Sequence, residues 1–183
     1  PGYSIMPFFP GYKFAMGKST YMGEEIGEGG EVYAEPGMHG MVGLKDVVSM
    51  HPTSALEEWI LGPYTKRFRD IVFGRIAIKH RDFKALETLL EGILRDFITD
   101  DPVLLDALSL ALKTVINSVY GLTCARFANA FRDDRNMDNI VAKRGALFMC
   151  NLRRRVQELG FTVAHVKTDS IKIPDATPEI LEF

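Results

Sequence analysis

The chain has 183 residues, 46% of them hydrophobic and 25% charged, which is enough for one domain plus a substantial appendage without stabilising disulfides or metal. Its two cysteines, Cys124 and Cys150, exclude a disulfide scaffold and point to a reducing compartment. Twenty-two basic against 24 acidic residues leave a net charge of −2, which taken alone argues against a nucleic-acid-binding protein. No signal-peptide layout is visible, and no apolar run approaches the ~18 residues expected of a membrane span.

The average conceals segregation. Residues 1–60 hold three basic and eight acidic side chains, whereas residues 61–84 hold seven basic and two acidic. Residues 85–110 set Arg95 alone against six acids, and residues 111–160 hold nine basic against four acidic. Two basic blocks are therefore available to track a phosphate backbone, although solvated helix faces would produce the same pattern.

In chain order, residues 1–30 are rich in Gly, Pro and aromatics without a period, and read as an irregular arm packing its Phe and Tyr rings on the body. Residues 41–48 (M-V-G-L-K-D-V-V) suit a short, mostly buried strand. Ser54-x-x-Glu57 reads as a capping box opening a short helix that Gly62-Pro63 ends. Ala85, Leu86, Leu89, Leu90, Ile93, Leu94 and Phe97 recur at helical spacing. Asp101 then caps a second helix with Pro102 in its first turn, running to about Val119. The two predict an antiparallel helical hairpin. A third helix is expected over 137–159, stopped by Gly160, followed by a β-hairpin around Lys167-Thr168-Asp169. The fold class is α+β, an antiparallel sheet backed by helices with a helical hairpin projecting from it.

Three segments carry chemistry. Asp46 ends a strand, and the following Val47-Val48-Ser49-Met50-His51 turn runs into a helix, where backbone N–H groups can seat anionic oxygens. A strand-end Asp acting only as a helix cap is the plainer reading. Lys113, Asn117 and Tyr120 fall on one helical face, able to grip phosphate and offer a flat ring to a base; a merely wet polar face is the alternative. Asp169 at the hairpin tip can meet a second carboxylate on a neighbouring strand, though Asp and Ser are also ordinary turn residues.

In this order the segments resemble the motifs of family B DNA polymerases. D-V-V-S-M-H-P-T-S stands for the family's Asp-x-x-Ser-Leu-Tyr-Pro-Ser, K-T-V-I-N-S-V-Y-G matches Lys-x-x-x-Asn-Ser-x-Tyr-Gly in full, and K-T-D-S answers Asp-Thr-Asp-Ser. Upstream, E-G-G-E-V-Y-A-E-P-G-M-H-G resembles the Gly-Gly segment and Pro-Gly turn that precede the first motif. The likeness spans about Gly29 to Ile173, and the short gap between the first two motifs looks most like phage members. It implies a palm whose sheet is ferredoxin-like. Residues 1–40 become an arm leading into the palm, 41–65 palm, 66–121 helical-hairpin fingers, and 122–183 palm again, with thumb and exonuclease domains lying outside this stretch.

The resemblance further implies that Asp46, the Val47 carbonyl and Asp169 hold two Mg²⁺ ions, for which Mn²⁺ could substitute, with Asp46 and Asp169 catalytic. Ser49, Met50 and His51 would hold the triphosphate through their N–H groups. Lys113 and Asn117 would reach the phosphates of the incoming dNTP, and Tyr120 would lie near the nascent base pair. Arg67, Arg69 and Arg75 are further phosphate-contact candidates that no motif fixes. The implied partners are primer-template DNA, dNTPs and the missing domains, with no membrane; the setting is cytoplasmic, that of the host if phage-encoded. Three positions depart from the pattern. His51 replaces a Tyr expected beneath the deoxyribose, so weaker exclusion of ribonucleotides is expected. Lys167 replaces the first acid of the third motif, and Gly27 stands where a Tyr precedes the Gly-Gly pair. A catalytically inactive DNA-binding module, or another two-metal nucleotidyltransferase or nuclease, are the alternatives.

Overall fold

In a computed structural model, residues 5–182 are described; the first four residues of the arm and Phe183 lie outside the described residues. The chain forms two units, one of residues Pro1–Ser54 with Asn139–Phe183 and the other of Ala55–Asp138. The class is α+β with antiparallel sheets.

The first unit begins with a correction. The arm is not irregular but a three-stranded antiparallel meander of β1 (Lys13–Ala15), β2 (Lys18–Tyr21) and β3 (Glu24–Ile26). Its strands are too short to show a period, and the turns are marked instead by Met16-Gly17 and Met22-Gly23, all four at positive φ. The larger sheet joins β4 (Glu31–Ala34), β5 (Val42–Asp46), β6 (His165–Thr168) and β7 (Ser170–Pro174) in the order β4-β6-β7-β5, every neighbouring pair antiparallel. The β6–β7 hairpin is central and no helix separates β4 from β5, so the succession is not the βαββαβ of a ferredoxin-like sheet.

Alternation along the hairpin places Val166, Ile171 and Ile173 on one face, where they pack with Met50, Met149, Val156 and Val163. Strand β5 is not mostly buried as its β-branched run suggests. It is an edge strand pairing only with β7, and Val42 and Leu44 stay exposed. The long helix backing the sheet, here α6 (Ile140–Glu158), ends as expected, with Gly160 at φ 91° and its N–H donating to the Gln157 carbonyl.

The segregated charges recombine in this unit. Lys143 of α6, a buried cation, pairs with Glu28 at 3.0 Å and lies 4.0 Å over the Phe14 ring. Arg153 pairs with Glu24, lies 3.7 Å from Glu31 and stacks 4.5 Å over Tyr33, while Arg154 also reaches Glu24. The acids of the arm thus answer the bases of α6. Burial pushes the Glu31 carboxyl up, opposed by the Arg153 charge. Burial also raises the Cys150 thiol in the same cluster.

Helix α1 (Met50–Glu57) starts five residues earlier than the Ser54 capping box predicts, which would make Ala55 its first residue. Ser49, at φ 54°, turns the chain, and its carbonyl accepts the Thr53 N–H at 2.9 Å; Ser54 is buried inside the helix. In the second unit, Gly62–Tyr64 is a 3₁₀ turn that leads into α2 (Thr65–His80), a helix the periodicity leaves unassigned. The segment 85–97 is not one amphipathic helix. It splits into α3 (Phe83–Leu86) and a 3₁₀ stretch Leu89–Phe97 interrupted at Leu90, Glu91 and Gly92, all three left-handed. Its apolar spacing survives because Leu86 and Leu94 still enter the core. Helix α4 (Pro102–Thr123) begins as expected, the Asp101 carboxylate accepting the Val103 N–H at 2.9 Å, but continues four residues past Val119.

The antiparallel partner of α4 is therefore α2. The end of α2 (Ala77, Ile78) packs with the start of α4 (Leu105, Leu112), while Phe68 and Ile71 line a cleft with Val115 and Val119. A Cβ on Gly74 would lie 2.8 Å from the Leu94 side chain, so glycine permits this closeness. By length and composition alone α4 is apolar enough to cross a membrane, with a mean hydropathy of 1.4 in its best window, which corrects the expectation that no run qualifies. The short helices α5 (Asp134–Met137) and α7 (Pro178–Glu182) complete the described elements.

Candidate functional site

The first group of chemistry-bearing residues gathers at one end of the four-stranded sheet. Asp46, the last residue of β5, pairs in register with Ser170, the first of β7. One residue on, the Val47 N–H donates to the Asp169 carbonyl at 2.8 Å. The strand end and the hairpin tip are thus clamped side by side. Both carboxylates are exposed, and among the described residues neither accepts a hydrogen bond nor forms an ion pair. Two unengaged carboxylates and the Val47 carbonyl are hard oxygen donors, the set that suits Mg²⁺ or Mn²⁺.

The hairpin tip is strained. Thr168 has φ 56° and the Asp169 N–H donates to the Lys167 carbonyl at 2.7 Å, a γ-turn of the rare positive-φ kind centred on a β-branched residue. Gly30 lies against it: at φ 144°, a Cβ there would stand 3.2 Å from both Thr168 side-chain tips and 3.3 Å from its Cα. The Gly-Gly segment therefore supports the tip that carries Asp169. Gly27 has a separate reason, since its Cβ would fall 2.1 Å from the Gly30 carbonyl oxygen. Any side chain at position 27 would meet that oxygen.

Lys167, Ser170 and Asp46 lie in one row across three strands, on the sheet face opposite the α6 core. At about 4.8 Å per strand, the Lys167 backbone is roughly 10 Å from that of Asp46. The Ser170 hydroxyl between them donates to the Lys167 carbonyl at 3.2 Å. Sequence spacing along one strand does not reveal such a cross-strand row.

Ser49, Met50 and His51 form the turn into α1 and its first two residues. Their N–H groups lie where a helix has no acceptors of its own, and Pro52, which follows, has no N–H to leave unsatisfied. The Met50 side chain is buried, and a Cβ at Gly145 would lie 2.8 Å from its tip, so it anchors the turn. Burial holds the His51 imidazole below its ordinary value, partly opposed by the charge of Asp169.

The second group lies on α4. Lys113 and Asn117 are exposed on one face and Tyr120 is half-buried on the same side, its phenol raised by burial. The helix end after them is fixed by polar contacts that the motif does not reveal. The Thr123 hydroxyl donates to the Tyr120 carbonyl at 2.6 Å, and buried Asn136 donates to the Thr123 hydroxyl at 2.6 Å. The structure thus assembles Asp46, Val47, Ser49, Met50, His51 and Asp169 in one unit, and Lys113, Asn117 and Tyr120 in the other. Of the unmotivated arginines, Arg67 and Arg69 are exposed on α2 and Arg75 is half-buried.

No family model matches the sequence, and no curated protein matches it either. Among solved structures, the family B DNA polymerase from the hyperthermophilic archaeon Pyrobaculum calidifontis is similar, at 18% identity with a TM-score of 0.45. The match covers 85% of this chain and 24% of that one, so the chain spans about a quarter of that polymerase's length. This neighbour is archaeal, and nothing in it supports the phage subtype.

Proposed function

We propose that the chain is the palm and fingers portion of a family B DNA polymerase, catalysing template-directed transfer of dNMP to a primer 3′-hydroxyl. The observation that carries this reading is the clamp between strand end and hairpin tip. It joins the backbone at the strand end of Asp46 to the hairpin tip of Asp169, 123 positions apart in sequence, and among the described residues neither carboxylate accepts a hydrogen bond or forms an ion pair. The fully matched K-T-V-I-N-S-V-Y-G on an exposed helical face supports it.

Asp46, the Val47 carbonyl and Asp169 would hold the divalent ions. Bound there, such ions supply activation of the primer hydroxyl and stabilisation of the leaving pyrophosphate. The chain's own residues do the rest. The first-turn N–H groups of Ser49, Met50 and His51 receive triphosphate oxygens, assisted by the positive end of α1. In the other unit, Lys113 offers a cation and Asn117 an amide donor suited to nucleotide phosphates, and Tyr120 a ring suited to a base.

This chain by itself should be weakly active or inactive, so paramagnetic broadening by Mn²⁺ in the chain and single-nucleotide addition to a recessed primer by the full-length parent test the reading together. The expected result is Mn²⁺ binding and templated addition, both lost in Asp46→Asn and in Asp169→Asn. Mn²⁺ binding unchanged in both variants refutes it. Lys167, in the row of Asp46, favours one second reading, a DNA-binding module without catalysis. Mn²⁺ bound by the two carboxylates with no templated addition would support that one.

A further inference from the structure

The two basic blocks meet different fates. In the second, among the described residues, Arg132, Arg135, Lys143, Arg153, Arg154 and Arg155 each have a carboxylate within ion-pair distance. In the first, none of Lys66, Arg67, Arg69, Arg75, Lys79, Arg81 and Lys84 has an ion-pair partner among the described residues. Most of these sit on α2, whose one acid, Asp70, is engaged by the Leu90 N–H at 3.3 Å. Glu91 lines a cleft with Lys66 and Arg67 without pairing with either.

Helix stability does not explain the placement. Lys79 and His80 in the last turn suit the helix dipole, but Lys66, Arg67 and Arg69 crowd the opposite end, where cations are unfavourable. That end has no acidic residue in its first turn and no side-chain cap. A bound anion would offset that cost.

The outer face of α2 also says which anion. Lys66, Arg69, Phe73 and His80 fall within an arc of about 60° at 100° per residue, forming one stripe. Phe73, at its centre, is 49% exposed although the helix has a buried face available in Phe68, Val72 and Ala77. An exposed ring between cations offers a stacking surface for a base beside contacts for its phosphates, along roughly 21 Å of helix. Stacking requires an unpaired base, because a duplex presents its rings only at its ends.

We propose that this stripe of α2 binds single-stranded nucleic acid, with Phe73 stacking on a base and Lys66 and Arg69 on the flanking phosphates. This goes beyond the polymerase reading and does not depend on the carboxylate pair.

The test is fluorescence anisotropy of a labelled 20-nucleotide oligothymidylate with the 183-residue chain, in EDTA so that divalent ions play no part. Phe73→Ala should weaken binding about five-fold or more. Arg69→Gln should reduce the slope of log K against log salt by about 0.7. Phe148→Ala, removing another exposed ring, should leave affinity unchanged. Phe73→Leu keeps the apolar bulk without the ring and should also weaken binding, which separates stacking from folding; circular dichroism checks each variant. Wild-type affinity in both Phe73 variants overturns the proposal, as does equal binding of a blunt duplex or tighter binding to phosphatidylglycerol vesicles. Asp46→Asn and Asp169→Asn should bind oligothymidylate as wild type does. Failure of templated addition therefore leaves this proposal standing, and failure of Phe73 to matter leaves the polymerase reading standing.

Discussion

Adjacent glycines at 29 and 30 should respond in opposite directions to the same substitution. Gly30 combines φ 144° with a virtual Cβ 3.2–3.3 Å from Thr168, including that residue's backbone. An alanine there incurs backbone strain of about 1–3 kcal/mol. It also overpacks against a strained turn that cannot easily give way, at a further cost of about 1–3 kcal/mol. The expected loss is thus about 2–6 kcal/mol. Gly29 has neither a positive φ nor any atom within 4 Å of its virtual Cβ. Gly29→Ala should be neutral or stabilise by up to ~1 kcal/mol, because alanine restricts the unfolded chain. Urea unfolding of the three proteins reads both effects: with a slope of about 2 kcal/mol per molar, Gly30→Ala should lower the midpoint by about 1 M or more while Gly29→Ala stays within about 0.5 M above wild type. Equal midpoints for the two variants would refute the argument that Gly30 supports the hairpin tip.

Two more outcomes can be measured. Burial raises the Glu31 carboxyl in the fold, so its contribution to stability is full below its unfolded value near 4.5 and is lost as pH rises through the folded value. Glu31→Gln should therefore remove that part of the decline, seen by chemical denaturation as a flatter midpoint as pH rises above about 4.5. A decline as steep as in wild type would assign the effect to another group. Cys150 is fully buried with its thiol raised, whereas Cys124 is half-buried. A thiol reagent should modify one cysteine in the native protein and two after unfolding, and mass spectrometry should place the native adduct on Cys124.

What the sequence made legible follows from how each element is specified. Asp101-Pro102 and Gly160 are local stereochemical signals, and the helix start and stop they mark occur where the residues say. The Lys167-Thr168-Asp169 hairpin shows for the same reason, because its flanking strands alternate around the tip, with Val166, Ile171 and Ile173 buried and Lys167 and Lys172 exposed. Contacts between distant segments were the illegible part. Gly92 and its two left-handed neighbours break a helix whose apolar spacing is intact, since Leu86 and Leu94 reach the same core by another route. Helix α2 was hidden because its cations and Gly74 obscure the apolar stripe, and Gly74 makes sense only beside Leu94. In the candidate site, the residue types could be read from the motifs. The clamp between Val47 and Asp169, the row through Ser170 to Lys167, and the support from Gly30 exist only across strands.

The neutralisation of α6 by the arm also bears on how the molecule behaves on a charged matrix. An isoelectric point near 6.1 describes an average from which the outer face of α2 departs. An ion exchanger samples patches, and the bare cations of α2 form a patch whose sign is opposite to the total. At neutral pH the protein should be retained by a sulfonate resin despite its net charge of −2, and elute earlier when Arg69 is neutralised. Its purification behaviour is thus a direct reading of which charges the fold has spoken for and which it has left facing outward.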